Sequence, residues 1–175
     1  ANGGLAANYS ISAGQTTTAN ITAKSLTVSG ITASNKTYDG STNATLDASS
    51  VAYSGLVNGD TFNGTFTGAF SDKNVGSGKT VAITSSYSGA DVSNYSVTNQ
   101  SSTTADISKK ALTATASTAN KTYDGGTTAS TTLTLSGLIG SETLTSSTSS
   151  SFNNKNVGTG KAVTVNSITL ADGTN

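Results

Sequence analysis

Thr61-Phe62-Asn63-Gly64-Thr65-Phe66-Thr67-Gly68-Ala69-Phe70 decides the fold class. In an extended chain Phe62, Phe66 and Phe70 fall on one side with Gly64 and Gly68 between them. Thr61, Asn63, Thr65 and Thr67 fall on the other side. A period of two with rings inside and hydroxyls outside is a half-buried strand. The same alternation recurs outward from it, at Val81 and Ile83, at Tyr95 and Val97, at Leu112, Ala114 and Ala116, and at Val163 and Val165. No window of helical length carries the i, i+3, i+4, i+7 spacing of an amphipathic helix. Turn residues separate the strands: Asp39-Gly40, Asn58-Gly59-Asp60, Gly76-Ser77-Gly78, Ser88-Gly89-Ala90-Asp91 and Asp124-Gly125-Gly126. The reading is all-β: tandem antiparallel β-sandwiches of Ig-like or Greek-key type, about 85 residues each. A β-grasp domain with one short helix is the second reading.

The domain length follows from an internal repeat. Lys36-Thr37-Tyr38-Asp39-Gly40 returns as Lys121-Thr122-Tyr123-Asp124-Gly125, and Ser54-Gly55-Leu56-Val57 as Ser136-Gly137-Leu138-Ile139. Lys73-Asn74-Val75-Gly76-Ser77-Gly78-Lys79 returns as Lys155-Asn156-Val157-Gly158-Thr159-Gly160-Lys161. Aligning the copies divides the chain into residues 1–22, the two closing strands of a preceding repeat; residues 23–108, a complete repeat; and residues 109–175, a second repeat without its last two strands. Asn8-Tyr9-Ser10-Ile11 matches Asn94-Tyr95-Ser96-Val97, and this sets the first segment in register. Tandem copies of one module multiply contacts or span distance.

The joint between copies is short. Thr104-Ala105-Asp106-Ile107-Ser108-Lys109-Lys110-Ala111-Leu112-Thr113 contains neither Gly nor Pro. Ile107 is expected to close one core and Leu112 to open the next, as Ile21 and Leu26 do one copy earlier. A joint without a Gly/Ser linker is expected to hold neighbouring units nearly in line.

Composition narrows the chemistry. The chain has no Cys, His, Met, Trp or Pro, nine lysines and no arginine balance nine acidic residues, and Ser and Thr make up 62 of 175 residues. Without His or Cys, no imidazole- or thiolate-based triad and no soft metal site can be built. The expectation is a protein that is not an enzyme and uses no cofactor. Zero net charge gives no basic surface for nucleic acid, and no apolar run is long enough to cross a bilayer. Low apolar content also fits disorder, but the period-two patterning, the abundant Thr and the absence of Pro favour strands.

The blocks KTYDG, GLVNGDTF, SDKNVGSGKTV, SGADVSNYSVT and TADISKKALT, in this order and spacing, resemble the YDG-type repeat, related to the MBG repeats of large bacterial surface proteins. The resemblance covers essentially the whole chain, twice over. Family sequences often carry Ile-Thr-Pro-Lys at the joint, where this chain has Ile21-Thr22-Ala23-Lys24 and Ile107-Ser108-Lys109-Lys110. The resemblance implies a secreted, cell-surface setting, as in filamentous-haemagglutinin-like adhesins exported by two-partner secretion. There the repeats form a stalk supporting adhesion and biofilm or matrix attachment.

The candidate residues have mostly structural readings. Tyr38-Asp39-Gly40 and Tyr123-Asp124-Gly125 read as tight turns, Asp bonding local amides and Gly supplying positive φ; a glycan platform built on the Tyr ring is the alternative. Asp39, Asp60, Asp72 and Asp91 lack the clustering that calcium needs. Lys73 and Lys79, with Lys155 and Lys161, flank a turn, and a Lys–Asn isopeptide bond is the minor alternative. The expected partners are neighbouring copies of the repeat, in cis or head-to-tail in trans, and host or matrix glycans or proteins. The out-of-register ends raise a second function, a filament in which residues 1–22 of one chain complete residues 110–175 of the next. A carbohydrate-binding module is the third.

Overall fold

The computed structural model describes residues 3–173. Among them are fifteen strands, two one-turn 3-10 helices and no α-helix, so the helix of a β-grasp domain is not there. The first repeat contains β1 (Lys24–Ser29), β2 (Thr32–Ala33), β3 (Lys36–Thr37), β4 (Asn43–Ala44), β5 (Leu46–Asp47), β6 (Ala52–Ser54), β7 (Asn63–Phe70), β8 (Gly76–Ser88), β9 (Tyr95–Thr98) and β10 (Ser102–Ser108). They form a three-stranded sheet, β6-β1-β9, a five-stranded sheet, β3-β10-β8-β7-β4, and a small β2-β5 ladder.

The core lies between the inner faces of the two larger sheets. Leu26 and Val28 point inward from β1, together with Ile31 and Tyr95, and meet Phe62 and the half-buried Phe66, Ile83 and Tyr87. Phe62 is the hub of an aromatic cluster, with ring centroids 5.2 Å from Tyr53, 5.0 Å from Tyr87 and 5.8 Å from Tyr95. At the other end of β7, Phe70 packs with Val81, Ala105 and Ile107. The alternation read from residues 61–70 is therefore the inner edge of the core.

The expected antiparallel arrangement needs amending. β7–β8, β8–β10, β1–β6 and β4–β7 are antiparallel, but β1 runs parallel to β9, and β3 parallel to β10. Lys24–Thr27 pair with Tyr95–Thr98 after a long excursion through the other sheet, the crossover that parallel pairing requires. The turn expected at Gly76-Ser77-Gly78 lies inside β8, where Gly78 takes φ +59° and donates its N–H to Asp106 Oδ1 at 2.7 Å. The reversal falls earlier, at residues 71–75, on an Asx turn in which Asn74 N–H donates to Asp72 Oδ1 at 2.8 Å.

The second repeat contains β11 (Thr113–Thr118), β12 (Thr128–Ala129), β13 (Thr131–Ser136), β14 (Leu144–Phe152) and β15 (Val163–Asp172). β11-β13 repeats β1-β6, and β12-β14-β15 repeats β4-β7-β8. Leucines at 135, 144 and 170 stand where Tyr53, Phe62 and Tyr87 form the aromatic cluster. A bulge at Asn166 shifts the β14–β15 register, so that Ile168 faces Thr148 and Leu170 faces Ser146. No strand covers this face among the described residues, and Ile168 and Leu170 are about half exposed. Lys121-Thr122, the counterpart of β3, is likewise not a strand, because β3 exists through its pairing with β10.

Residues 3–22 form no strand. The 3-10 turn Ala6–Asn8 reproduces Val92–Asn94, down to the extended residue that follows each, Tyr9 and Tyr95. Tyr9 and Ile21 are then 77% and 102% exposed, whereas their counterparts Tyr95 and Ile107 are buried. Residues 1, 2, 174 and 175 of the outer segments lie outside the described residues.

Candidate functional site

Two copies of the Lys-Thr-Tyr-Asp-Gly turn are the best-defined constellations in the chain. Asp39 Oδ1 accepts the Ser41 N–H at 2.9 Å, and Gly40 turns the chain at φ +78°. Lys36, from β3, sends its ammonium into the loop: Nζ donates to Asp39 Oδ1 and Ser41 O, each at 2.8 Å, and to Asn43 O at 3.0 Å, and lies 5.4 Å from the Phe70 ring centroid. Lys36 and the Ser41 amide together hold the Asp39 carboxyl down at about 2. The second copy repeats the design. Lys121 Nζ reaches Asp124 at 2.8 Å and the Gly126 and Thr128 carbonyls at 3.1 Å, and lies over Phe152; Gly126 N–H donates to Asp124 Oδ1 at 2.9 Å. The hydrogen bond from Lys121 also depresses the Asp124 carboxyl. Gly40 and Gly125 follow these aspartates at φ +78° and +80°. The lysine that organises each turn was the overlooked member, and its return in both copies was the available signal.

The tyrosines behave differently from one another. Tyr38 turns away from its own turn toward the second repeat, where its hydroxyl donates to Glu142 Oε1. Lys73 Nζ lies 3.4 Å from the same carboxylate oxygen. The hydrogen bond from Tyr38, then the one from Lys73, hold the Glu142 carboxyl below its usual range; Glu142 raises both Tyr38 and Lys73. The backbone of Gly40 comes so close to Ile139 that a Cβ there would lie 2.9 Å from Ile139 Cγ2. Tyr38, Lys73, Val75, Leu138, Ile139 and Glu142 line the groove where the two repeats meet. Glu142 is the single glutamate in the sequence, standing where the first repeat has Asp60. In the first repeat Asp60 instead accepts the Tyr95 hydroxyl at 2.5 Å, within its own domain.

Tyr123, the counterpart of Tyr38, meets no second repeat and is 59% exposed. Of the joint residues, Leu26 and Ile107 are fully buried in the first core, Leu112 is half-buried in the second, and Ile21 is bare. Residues 109–112 cross between the repeats without strand structure.

The remaining candidates fall into separate places. Asp60 bonds Tyr95, Asp72 bonds Lys79 at 2.7 Å, and Asp91 accepts the Thr61 amide, so the four aspartates form no shared cage. No group of three acidic, His or Cys residues able to hold a metal occurs among the described residues. Lys161 donates to the Asn154 side chain, and among the described residues no carboxylate is bonded to that pair. Among the described residues, Tyr9 and Tyr123 are the exposed rings.

A family model described as YDG domain matches residues 22–105 and again residues 108–175. The chain belongs to the YDG domain family. The two matches meet at the joint found from the repeat and from the strand order. No curated protein and no solved structure matches the chain.

Proposed function

We propose that this pair of YDG domains is a non-enzymatic structural segment of a bacterial surface adhesin stalk, holding adhesive regions away from the cell and supporting matrix attachment. The junction carries this reading. A short connection, 109–112, is reinforced by Tyr38 and Lys73 converging on Glu142 and by Gly40 seated against Ile139. These contacts resist both bending and twisting at the joint, which a covalent link alone does not. The neutral, hydroxyl-rich exterior suits a long array that must stay soluble without adhering to membranes or nucleic acid.

Small-angle scattering on the 175-residue chain tests the junction. Wild type is expected to give one extended, well-defined shape. The double variant Tyr38→Phe, Glu142→Gln is expected to broaden the interdomain distance distribution while each domain keeps its melting transition. A wild-type profile already requiring freely jointed domains would refute the stalk reading.

A second reading is favoured by the exposed residues 3–22. They repeat the pattern that closes the first domain, Tyr9 and Ile21 standing for Tyr95 and Ile107, and they face the solvent beside no sheet. Between separate copies they fit the free edges of β11 and β15, which correspond to the edges of β1 and β8 that β9 and β10 occupy, giving an assembly by strand complementation. Removal of residues 3–22 abolishes any association of this kind.

A further inference from the structure

The junction has two halves, and each recurs in the other repeat. One half is the turn face of the first repeat: Tyr38, Gly40, Lys73 and Val75. The other is the corner of the second repeat, Leu138-Ile139 followed by Glu142. The second repeat carries the turn face again as Tyr123, Gly125, Lys155 and Val157, and the first repeat carries the corner again as Leu56-Val57 followed by Asp60. The second face is open; of the first corner Val57 is exposed, while Leu56 packs on its own core and Asp60 is half-buried. Tyr123 and Val157 are 59% and 88% exposed and border a shallow groove with Phe152 and Lys155; Val57 is 44% exposed. The charges also match, a lysine on the face and a carboxylate on the corner.

We infer that the Tyr123–Lys155–Val157 face is a docking site for the Leu56–Asp60 corner of a second copy of this chain, in the arrangement Tyr38 and Glu142 adopt internally. This rests on the junction described above, used a second time between molecules. The contact is heterologous: face and corner differ, so each bound copy presents a fresh face and a fresh corner, and association runs on head to tail without closing. Asp60 is one methylene shorter than Glu142, and one of its oxygens already serves Tyr95. The patch is small, so affinity between separate chains falls toward the millimolar end. Within one polypeptide, the effective concentration of a neighbouring domain is itself about millimolar, enough to keep such a contact occupied.

Sedimentation velocity of the 175-residue chain, from micromolar to about 1 mM, reads the proposal directly. The sedimentation coefficient is expected to rise with concentration and to continue past the dimer. Val157→Asp spoils only the face and Val57→Asp only the corner; both side chains are exposed, so folding is not at stake. Each variant alone is expected to associate about tenfold or more weakly than wild type. An equimolar mixture is expected to recover association but stop at the dimer, since only one intact face meets one intact corner. Tyr123→Ala gives a second face variant, and Asp60→Glu is expected to tighten binding. Strict monomers at every concentration overturn the docking site. So does association unchanged in both Asp variants, or association lost only when residues 3–22 are removed, which assigns it to strand exchange. Failure here leaves the stalk reading intact if the scattering of the single chain still depends on Tyr38 and Glu142.

Discussion

β7 in the first repeat and β14 in the second descend from the same stretch of sequence, yet they sit in very different surroundings. Around β7 the rings of Tyr53, Phe62, Tyr87 and Tyr95 interlock, and β9 and β10 complete the two sheets. Around β14 the ring positions are leucines, Gly68 has become the buried Ser150, and Ile168 and Leu170 look out into solvent. The loops nevertheless survive the change. Lys121 reproduces the cap made by Lys36, and Asn156 N–H finds Asn154 Oδ1 at 3.0 Å as Asn74 finds Asp72. Turn chemistry in this chain is thus encoded within a few residues, whereas closure of the core depends on strands arriving from far along the chain.

The largest consequence concerns paired leucines. Leu26 is fully buried in the first core, and its counterpart Leu112 is only half-buried. Leu26→Ala is expected to cost about 2–5 kcal/mol, the usual range for emptying a packed site. Leu112→Ala is expected to cost about 1 kcal/mol or less, because little apolar surface returns to water. Thermal unfolding, monitored domain by domain through amide signals, separates the two. Equal losses would mean that the second core is as closed as the first.

The turn glycines that follow β6 and β13 sharpen the contrast. Gly55 and Gly137 share nearly the same backbone, φ +102° and +101°, so an alanine is strained equally at either by its own conformation. They differ in their neighbours. A Cβ on Gly55 would fall 2.5 Å from the Ser25 carbonyl oxygen, while on Gly137 its nearest contact would be 3.5 Å away, at Leu112. Gly137→Ala is therefore expected to cost about 1 kcal/mol and Gly55→Ala about 2–3 kcal/mol. If chemical denaturation finds the two costs the same, the tighter packing of the closed repeat does not reach this turn.

Ser150 offers a gain instead of a loss. Its hydroxyl is buried without a hydrogen-bond partner, at the position where the first repeat has glycine. Ser150→Ala is expected to stabilise the second repeat by about 1 kcal/mol, since an unsatisfied hydroxyl is removed and the methylene is kept. A destabilised variant would show that the hydroxyl is bonded in solution.

How much of this was legible beforehand depends on the range of the interaction. Phe62, Phe66 and Phe70 announced an inward face, and Asp39-Gly40 announced its turn, because each signal lies within one strand or one loop. Repetition alone points to a joint between Ile107 and Leu112, and residues 109–112 carry no strand. The parallel pairs were not legible: nothing within Lys24–Thr27 says that its partner is Tyr95–Thr98. Gly76-Ser77-Gly78 misled because glycines serve extended strands at close approaches as well as turns. Glu142 escaped notice for a similar reason. A lone acid is an ordinary solvated residue until a tyrosine from another domain reaches it. The substitution of the only glutamate for an aspartate at a repeated corner was the clue.

The smallest expected effect tests whether the loops are as independent of the core as the comparison implies. In the loop after β7, Lys79 and the Asn74 amide both donate to Asp72 and hold its carboxyl below the ordinary value. The second repeat builds the same loop on Asn154, which cannot titrate. A lowered carboxyl in the folded state makes a contribution that is complete above the ordinary carboxylate range and disappears as pH falls through the lowered value. Acidification is therefore expected to move the Asn74 amide resonance, with a midpoint below the ordinary Asp value of 3.8, and to leave Asn156 still. Asp72→Asn is expected to silence the Asn74 titration and change stability little at neutral pH, because the Asp72 side chain is about half exposed and an asparagine keeps both acceptor contacts, as Asn154 does in the second repeat. Should Asn74 titrate at or above 3.8, or should Asn156 follow it, the loop is responding to the unfolding of its domain, and local encoding of the turns would have to be abandoned.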